Sequence, residues 1–329
     1  RHRHRPARLA PPRAVHQPLA RRETPRTPSF KGPHAPPSTL ILPARPSTAD
    51  SMTLSLLTPL LFFVSVAAGL LGSLTGLGGG VVIIPVLVLG FGVDLRYAIG
   101  ASLIAVIATS SGAAAAYVRD GFTNVRIAMI LEIATTAGAL AGAWIAGYLP
   151  LAAISIIFGL VLLQTAYNAA RPPVARPFDA EPDALSTRLG LNGDYPATEG
   201  PAAYFPRRIP QGFAVMFGAG VLSALVGVGS GVIKVFAMDR LMRLPFKVST
   251  ATSNFMIGVT AAASAGVYLH RGQVAPALAG PIALGALAGA MLGAKLLPRV
   301  RTRTLRIIFG CLVALAGIQM IVKGATGTL

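Results

Sequence analysis

Gly69–Val82 reads GLLGSLTGLGGGVV, and Gly220–Ile233 reads GVLSALVGVGSGVI. Both are apolar runs interrupted by a string of glycines, and they align residue for residue. Two further matches keep the same order: GALAGA at 138–143 and 285–290, and IIFG at 156–159 and 307–310. The copies lie 151, 147 and 151 residues apart. Three ordered matches at nearly one spacing predict an internal duplication. Secondary transporters are commonly built this way, with the substrate site between the repeats.

Around these copies the chain is too apolar for a soluble domain. Of its 329 residues 53% are hydrophobic and only 12% charged, with mean hydropathy +0.64, against about 25% charged in soluble proteins. The predicted fold class is all-α: a polytopic helical membrane protein of two homologous repeats, each of about four transmembrane helices plus a glycine-broken segment. A single cysteine, Cys311, excludes an intramolecular disulfide framework. The five histidines lie in the N-terminal tail or at one segment end, which excludes a buried histidine metal cluster.

Four regions follow. Residues 1–51 hold ten Lys or Arg and 11 of the 26 prolines, with no sustained hydrophobic period. They read as a disordered basic tail that cannot bury enough apolar surface to fold. The first methionine is Met52, so this tail also reads as an upstream extension of the true start, and no nucleic-acid partner is assigned to it. Residues 52–170 are repeat 1, 171–210 a polar, proline-rich extramembrane linker, and 211–329 repeat 2.

Repeat 1 divides into segments near 54–75, 81–92, 98–118, 126–148 and 151–170. Repeat 2 divides near 211–226, 231–242, 247–269, 274–296 and 304–323. Four in each set can span a bilayer, which takes about 20 residues. The second of each set has only about 12 residues, roughly 18 Å of helix, and suits a half-helix or re-entrant element. The chain therefore crosses eight to ten times.

The candidate site residues cluster at the glycine strings. Gly78, Gly79 and Gly80, and Gly229, Ser230 and Gly231, sit where a glycine costs about 1 kcal/mol in a continuous helix. Unwound backbone at membrane depth is tolerated where it is buried in protein or lines a cavity. A helix restarting at Val81 or Val232 offers N–H groups and a positive dipole end to an anion. Alternatively the glycines only permit close packing. The string lacks the Gly-Lys-Ser/Thr ending of a nucleotide loop, and no cofactor is expected.

Lys234 stands in the apolar run GVIKVFAM, where its counterpart in repeat 1 is Ile83. An ionisable residue inside a membrane segment is expensive and marks a functional site by default; snorkelling to an interface is the plainer reading. Glu132, in MILEIATT, is the other ionisable residue well inside a span. It reads as a coupling residue, a partner of Lys234, or a group near a helix end. Hydroxyl clusters follow both breaks: Ser102, Thr109, Ser110 and Ser111 in repeat 1, and Ser249, Thr250, Thr252, Ser253 and Asn254 in repeat 2. Ser102, Thr252, Ser253 and Asn254 are the candidates from these clusters. Such groups donate to oxyanions without fixed charge, or bond carbonyls of their own helix. Gly138, Gly142 and Ala146, and Gly285, Gly289 and Gly293, form small-xxx-small stripes read as helix packing.

The quoted motifs, with AIGASLIAVIATS at 98–110 and LPFKVSTATSNFMIGVTAA at 244–262, resemble the sulfite exporter TauE/SafE family of anion permeases. The resemblance covers about 53–324. It implies a duplicated four-helix unit of about eight spans. It also implies transport of a small sulfur-containing oxyanion, sulfite or an organosulfonate, across the bacterial inner membrane, coupled to an ion gradient. Two positions depart from the repeat pattern: Ser230 replaces the middle glycine of the second triplet, and Phe236 stands where Pro85 stands in the first.

The expected partners are therefore the oxyanion, the lipid bilayer and a coupling ion, with oligomeric state left open. A membrane-embedded enzyme is disfavoured, because the spans carry no nucleophile–base or metal constellation. The alternative is a non-transporting membrane scaffold, which has no need for two matched breaks in its helices.

Overall fold

A computed structural model of the chain describes residues 48–75, 79–170, 183–197, 200–296 and 302–327. The basic tail to residue 47 lies outside the described residues, as do Gly76, Leu77 and Gly78.

The order of elements in the first half is α1 (Thr48–Thr75), α2 (Gly80–Pro85) running on as a π-helical turn (Val86–Gly90), α3 (Leu95–Arg119), α4 (Val125–Ala146) and α5 (Leu151–Ala170). The linker contributes α6 (Ala184–Arg188) and an antiparallel hairpin, β1 (Gly193–Ala197) with β2 (Gly200–Tyr204). The second half repeats the order: α7 (Ile209–Val226), α8 (Gly231–Phe236) with its own π turn (Ala237–Leu241), α9 (Phe246–His270), α10 (Pro276–Leu296) and α11 (Thr302–Thr326). Both short segments are 11 residues including their π turns, about 16 Å of axis, too short to cross.

Local chemistry sets several boundaries. Asp94 caps α3 by accepting from the Arg96 N–H at 2.8 Å, and Asn124 caps α4 by accepting from the Ile127 N–H at 3.0 Å. α7 stops at Gly227, whose φ of +68° a side-chain-bearing residue rarely adopts. The hairpin is the one departure from an all-helical chain among the described residues.

Among the described residues, six helices are long and apolar enough to cross a membrane: α3, α4, α5, α7, α10 and α11. That is fewer than the expected eight to ten crossings. In α1 only the apolar stretch Leu57–Ser73 is recognised, and α9 carries the hydroxyl cluster, whose polarity lowers its hydropathy although its 25 residues would reach about 38 Å. The outer faces are apolar and open: Phe63, Met129, Ile133, Trp144, Leu160, Leu284 and Leu315 are all more than half exposed. So continuous an apolar exterior belongs against lipid. The chain is an integral multi-pass membrane protein.

The dominant contacts run between the halves. α1 packs on α10, α4 on α7, α3 on α9 and α5 on α11. The small-residue stripes make this possible. A Cβ at Gly285 or Gly289 would fall against the carbonyls of Phe62 or Val66 in α1, and one at Gly138 or Gly142 against those of Phe217 or Val221 in α7. Backbone therefore lies directly on backbone, the arrangement that small-xxx-small stripes permit. Side-chain hydroxyls pin the same pairs: half-buried Ser73 donates to the Ala290 carbonyl at 3.0 Å, and buried Ser155 to the Met320 carbonyl at 2.7 Å. Neither half buries its helix faces alone.

The described part of the linker folds back onto the helix ends. Leu191 and Tyr204 are buried with Ile127, Leu131, Met238, Met242 and Leu244. Asn124 holds the linker with two bonds from its amide, to the Leu191 carbonyl at 3.1 Å and the Tyr204 hydroxyl at 2.8 Å.

Candidate functional site

The two glycine breaks meet. Gly80 opens α2 beneath Ser102 and Val106 of α3, and a Cβ there would lie 2.6 Å from Ser102 Oγ and 3.2 Å from the Gly227 carbonyl oxygen. Ser102 donates to that same carbonyl at 2.9 Å, wholly buried. A residue of the first half thus satisfies the carbonyl left open where α7 ends. Gly79 is less crowded, its nearest neighbour for a Cβ being Gly69 at 3.4 Å. In the second break Gly229 lies against Ile257, and the Gly231 carbonyl receives Ser253 Oγ at 3.4 Å. Ser230, the substituted middle glycine, has φ +45°, a left-handed conformation unusual for serine, and its hydroxyl is buried without a partner.

Lys234 has no exposed surface at all. Its ammonium donates to Thr260 Oγ1 of α9 at 2.5 Å, and Thr260 reaches Glu132 Oε1 of α4 at 2.7 Å. Thr136 donates to the same carboxylate oxygen at 3.1 Å, while Glu132 Oε2 is buried without a partner. Among the described residues the ion pairs are Arg119–Asp120 and Arg240–Asp239, so Lys234 and Glu132 communicate through a hydroxyl rather than directly. The two ionisable groups singled out in the sequence are therefore brought together, and Lys234 does not snorkel.

Sequence reasoning misses Thr260 and Thr136. A signal for Thr260 exists: it stands 151 residues after Thr109, the spacing between the glycine copies. Nothing comparable marks Thr136.

A small pocket lies between the halves, lined by Gly72 and Ser73 of α1, Thr109, Ser110 and Ala113 of α3, and Asn254 and Ile257 of α9. Most of its hydroxyl protons go to nearby carbonyls: Thr109 to Val106 at 3.1 Å and Ser110 to Ile107 at 3.2 Å, while the Asn254 amide donates to Thr250 at 3.1 Å. Hydroxyl rotors can turn from such bonds toward an anion. Asn254 and Thr260 are six residues apart on α9, so about 120° separates their directions. The pocket and the Lys234 cluster thus use different faces of one helix. The Thr252 hydroxyl accepts from the Asn124 N–H at 3.1 Å and ties α9 to the start of α4. No group of three or more His, Cys, Asp or Glu is placed to hold a metal among the described residues.

The model of the sulfite exporter TauE/SafE family matches residues 61–320. The chain belongs to the TauE/SafE family. Among its relatives, the probable membrane transporter protein YunE of Bacillus subtilis is 28% identical over 272 residues, covering 80% of this chain and 97% of YunE. A probable membrane transporter protein of Methanocaldococcus jannaschii is 24% identical over 281 residues, covering 81% of this chain and 96% of its own. No solved structure matches significantly. The TauE/SafE match begins inside α1 and ends inside α11, so it takes in both breaks, Glu132, Lys234 and Thr260.

Proposed function

We propose that this TauE/SafE protein is a secondary transporter for a small sulfur-containing oxyanion, sulfite or an organosulfonate, in the bacterial inner membrane. On this reading the halves are homologous repeats, and α1 and α9 join the six apolar helices to give eight crossings. The anion binds between the repeats near the breaks. Lys234 neutralises its charge, the backbone around Gly78–Gly80 and Gly229–Gly231 lets it approach, and Ser102, Ser253, Asn254 and the pocket hydroxyls line the polar route.

The observation that carries the reading is the ammonium of Lys234, wholly buried beside the second break and hydrogen-bonded to a neutral hydroxyl. A buried cation with no carboxylate in direct contact is costly in a fold that uses it only for packing. A transported anion supplies the missing charge.

The test is uptake of radiolabelled sulfite, methanesulfonate and taurine into vesicles containing the protein. At least one anion should be carried, with saturation. Lys234→Met keeps length and apolar stem but loses the charge, and should weaken apparent affinity about tenfold to a few hundredfold. Lys234→Arg should retain part of it, since the charge stays and the shape changes. Unchanged affinity in an inserted Lys234→Met protein removes Lys234 from the site. No flux of any anion would leave the scaffold reading in place.

A further inference from the structure

We propose that Glu132 is the proton-binding residue of this transporter and that Thr260 is the switch that passes its charge state to Lys234. The proposal rests on the transport reading above and names its coupling ion.

Thr260 has one hydroxyl proton and two acceptors within reach: Glu132 Oε1 at 2.7 Å and the Met256 carbonyl at 2.9 Å. With Glu132 ionised, the carboxylate draws that proton, since charge-assisted bonds are the stronger. The Thr260 oxygen then holds Lys234, and Glu132 balances the ammonium through it. With Glu132 protonated, that attraction is gone. The hydroxyl turns to Met256, within its own helix, and Lys234 is left without a counter-charge. An anion then replaces the carboxylate as the partner of Lys234.

The two carboxylate oxygens of Glu132 differ. One takes two hydroxyl bonds, from Thr260 and Thr136. The other is buried with no partner, so a proton taken there breaks neither bond.

Most other charged groups on the surrounding elements are engaged elsewhere, and Arg243, in the turn before α9, is exposed. On α4, Arg126 donates to the Gly190 carbonyl. In the turn after α8, Arg240 pairs with Asp239. On α9, Lys247 lies over the Phe122 ring, and Tyr268 donates to the Ala224 carbonyl. His270 ends α9, ten residues or about 15 Å along the axis from Thr260. Arg271 beyond it donates to the carbonyls of Ala143 and Trp144. On α3, Arg96 donates to Leu149 and Arg119 pairs with Asp120. α7 carries no charged side chain.

The cycle balances. One proton from solution joins the Glu132 carboxylate, and one monovalent anion joins Lys234. On the other side the anion leaves, the proton leaves, and Thr260 returns to Glu132. One proton and one anion cross in the same direction with no net charge, so membrane voltage alone drives nothing.

The test uses the full chain in proteoliposomes, with radiolabelled methanesulfonate as probe because its charge does not change across the working pH range. A gradient of one pH unit, acid outside, should drive about tenfold accumulation in the wild type, and the lumen should acidify in step. In Glu132→Gln the accumulation ratio should fall to about one. Thr260→Val should show the same loss, and Thr260→Ser should restore the response. Glu132→Gln accumulating like wild type, or Thr260→Ser failing like Thr260→Val, overturns the proton site while leaving transport standing. Wild-type vesicles that carry none of the sulfur anions overturn the transport reading and this proposal together. A second measurement needs no flux: infrared difference spectra on adding methanesulfonate should show a protonated-carboxyl band that Glu132→Gln lacks. Its absence from the wild type refutes protonation of Glu132.

Discussion

Ser102 and Gly227 are 125 residues apart in the chain and joined by a buried hydrogen bond of 2.9 Å. The donor stands on α3 of the first half, and the acceptor is the carbonyl at which α7 of the second half stops. Ending a helix inside the membrane leaves carbonyls without intrahelical partners, and there is no water there to take them. The first half supplies the missing donor for the second.

Ser102→Ala should therefore destabilise the assembled protein by about 1–3 kcal/mol, the penalty for a buried acceptor left unpaired. Unfolding in detergent measures it. A change below about 0.5 kcal/mol would mean that the carbonyl finds another donor.

The glycines of the first break are not equivalent. A Cβ at Gly80 would meet Ser102 Oγ at 2.6 Å and a Val106 methyl at 2.8 Å, whereas at Gly79 it would meet nothing closer than 3.4 Å. Gly79→Ala should leave the stability in detergent near normal. Gly80→Ala should lower it, because the side chain displaces Ser102 from Gly227. Equal effects of the two substitutions would argue against a role for this contact.

The packing stripes make a different prediction. A Cβ at Gly142 runs into the Val221 carbonyl, while one at Gly218, also on the α4–α7 pair, meets nothing within 4 Å. Gly142→Leu should prevent α4 and α7 from seating and yield little monodisperse protein. Gly218→Ala should be tolerated. Size-exclusion profiles of the two variants in detergent separate the cases.

Burial pushes the Tyr204 phenol above its ordinary value, and the nearby Asp194 adds to this. The folded state therefore holds the proton more tightly than the unfolded chain does. The contribution is complete below the unfolded value of about 10 and is lost as pH rises above it. Protease resistance of the hairpin should be flat from about pH 6 to about pH 9 and fall beyond about pH 10. Tyr204→Phe removes the bond from Asn124 and should raise cleavage at every pH, by about 0.5–1.5 kcal/mol of local opening. A pH profile that falls well below pH 10 would rule out the phenol as the cause.

What the sequence determined by itself was local. Segment lengths, the short half-helices after each break, the apolar class of the protein and the packing stripes all depend on residues near one another in the chain. Spacing and composition report them directly. Lys234 and Glu132 are legible in the same way, because charge inside an apolar run is costly in lipid wherever the run packs. The tertiary structure decided which faces meet. It set α4 of one half against α9 of the other, put an ordinary threonine between the two ionisable groups, and tied Thr252 to the start of α4. Helix periodicity says which residues share a face but not which helix that face will meet, because small-residue stripes fit any close neighbour. Thr260 meets groups 26 and 128 positions away, and no local pattern encodes such a distance.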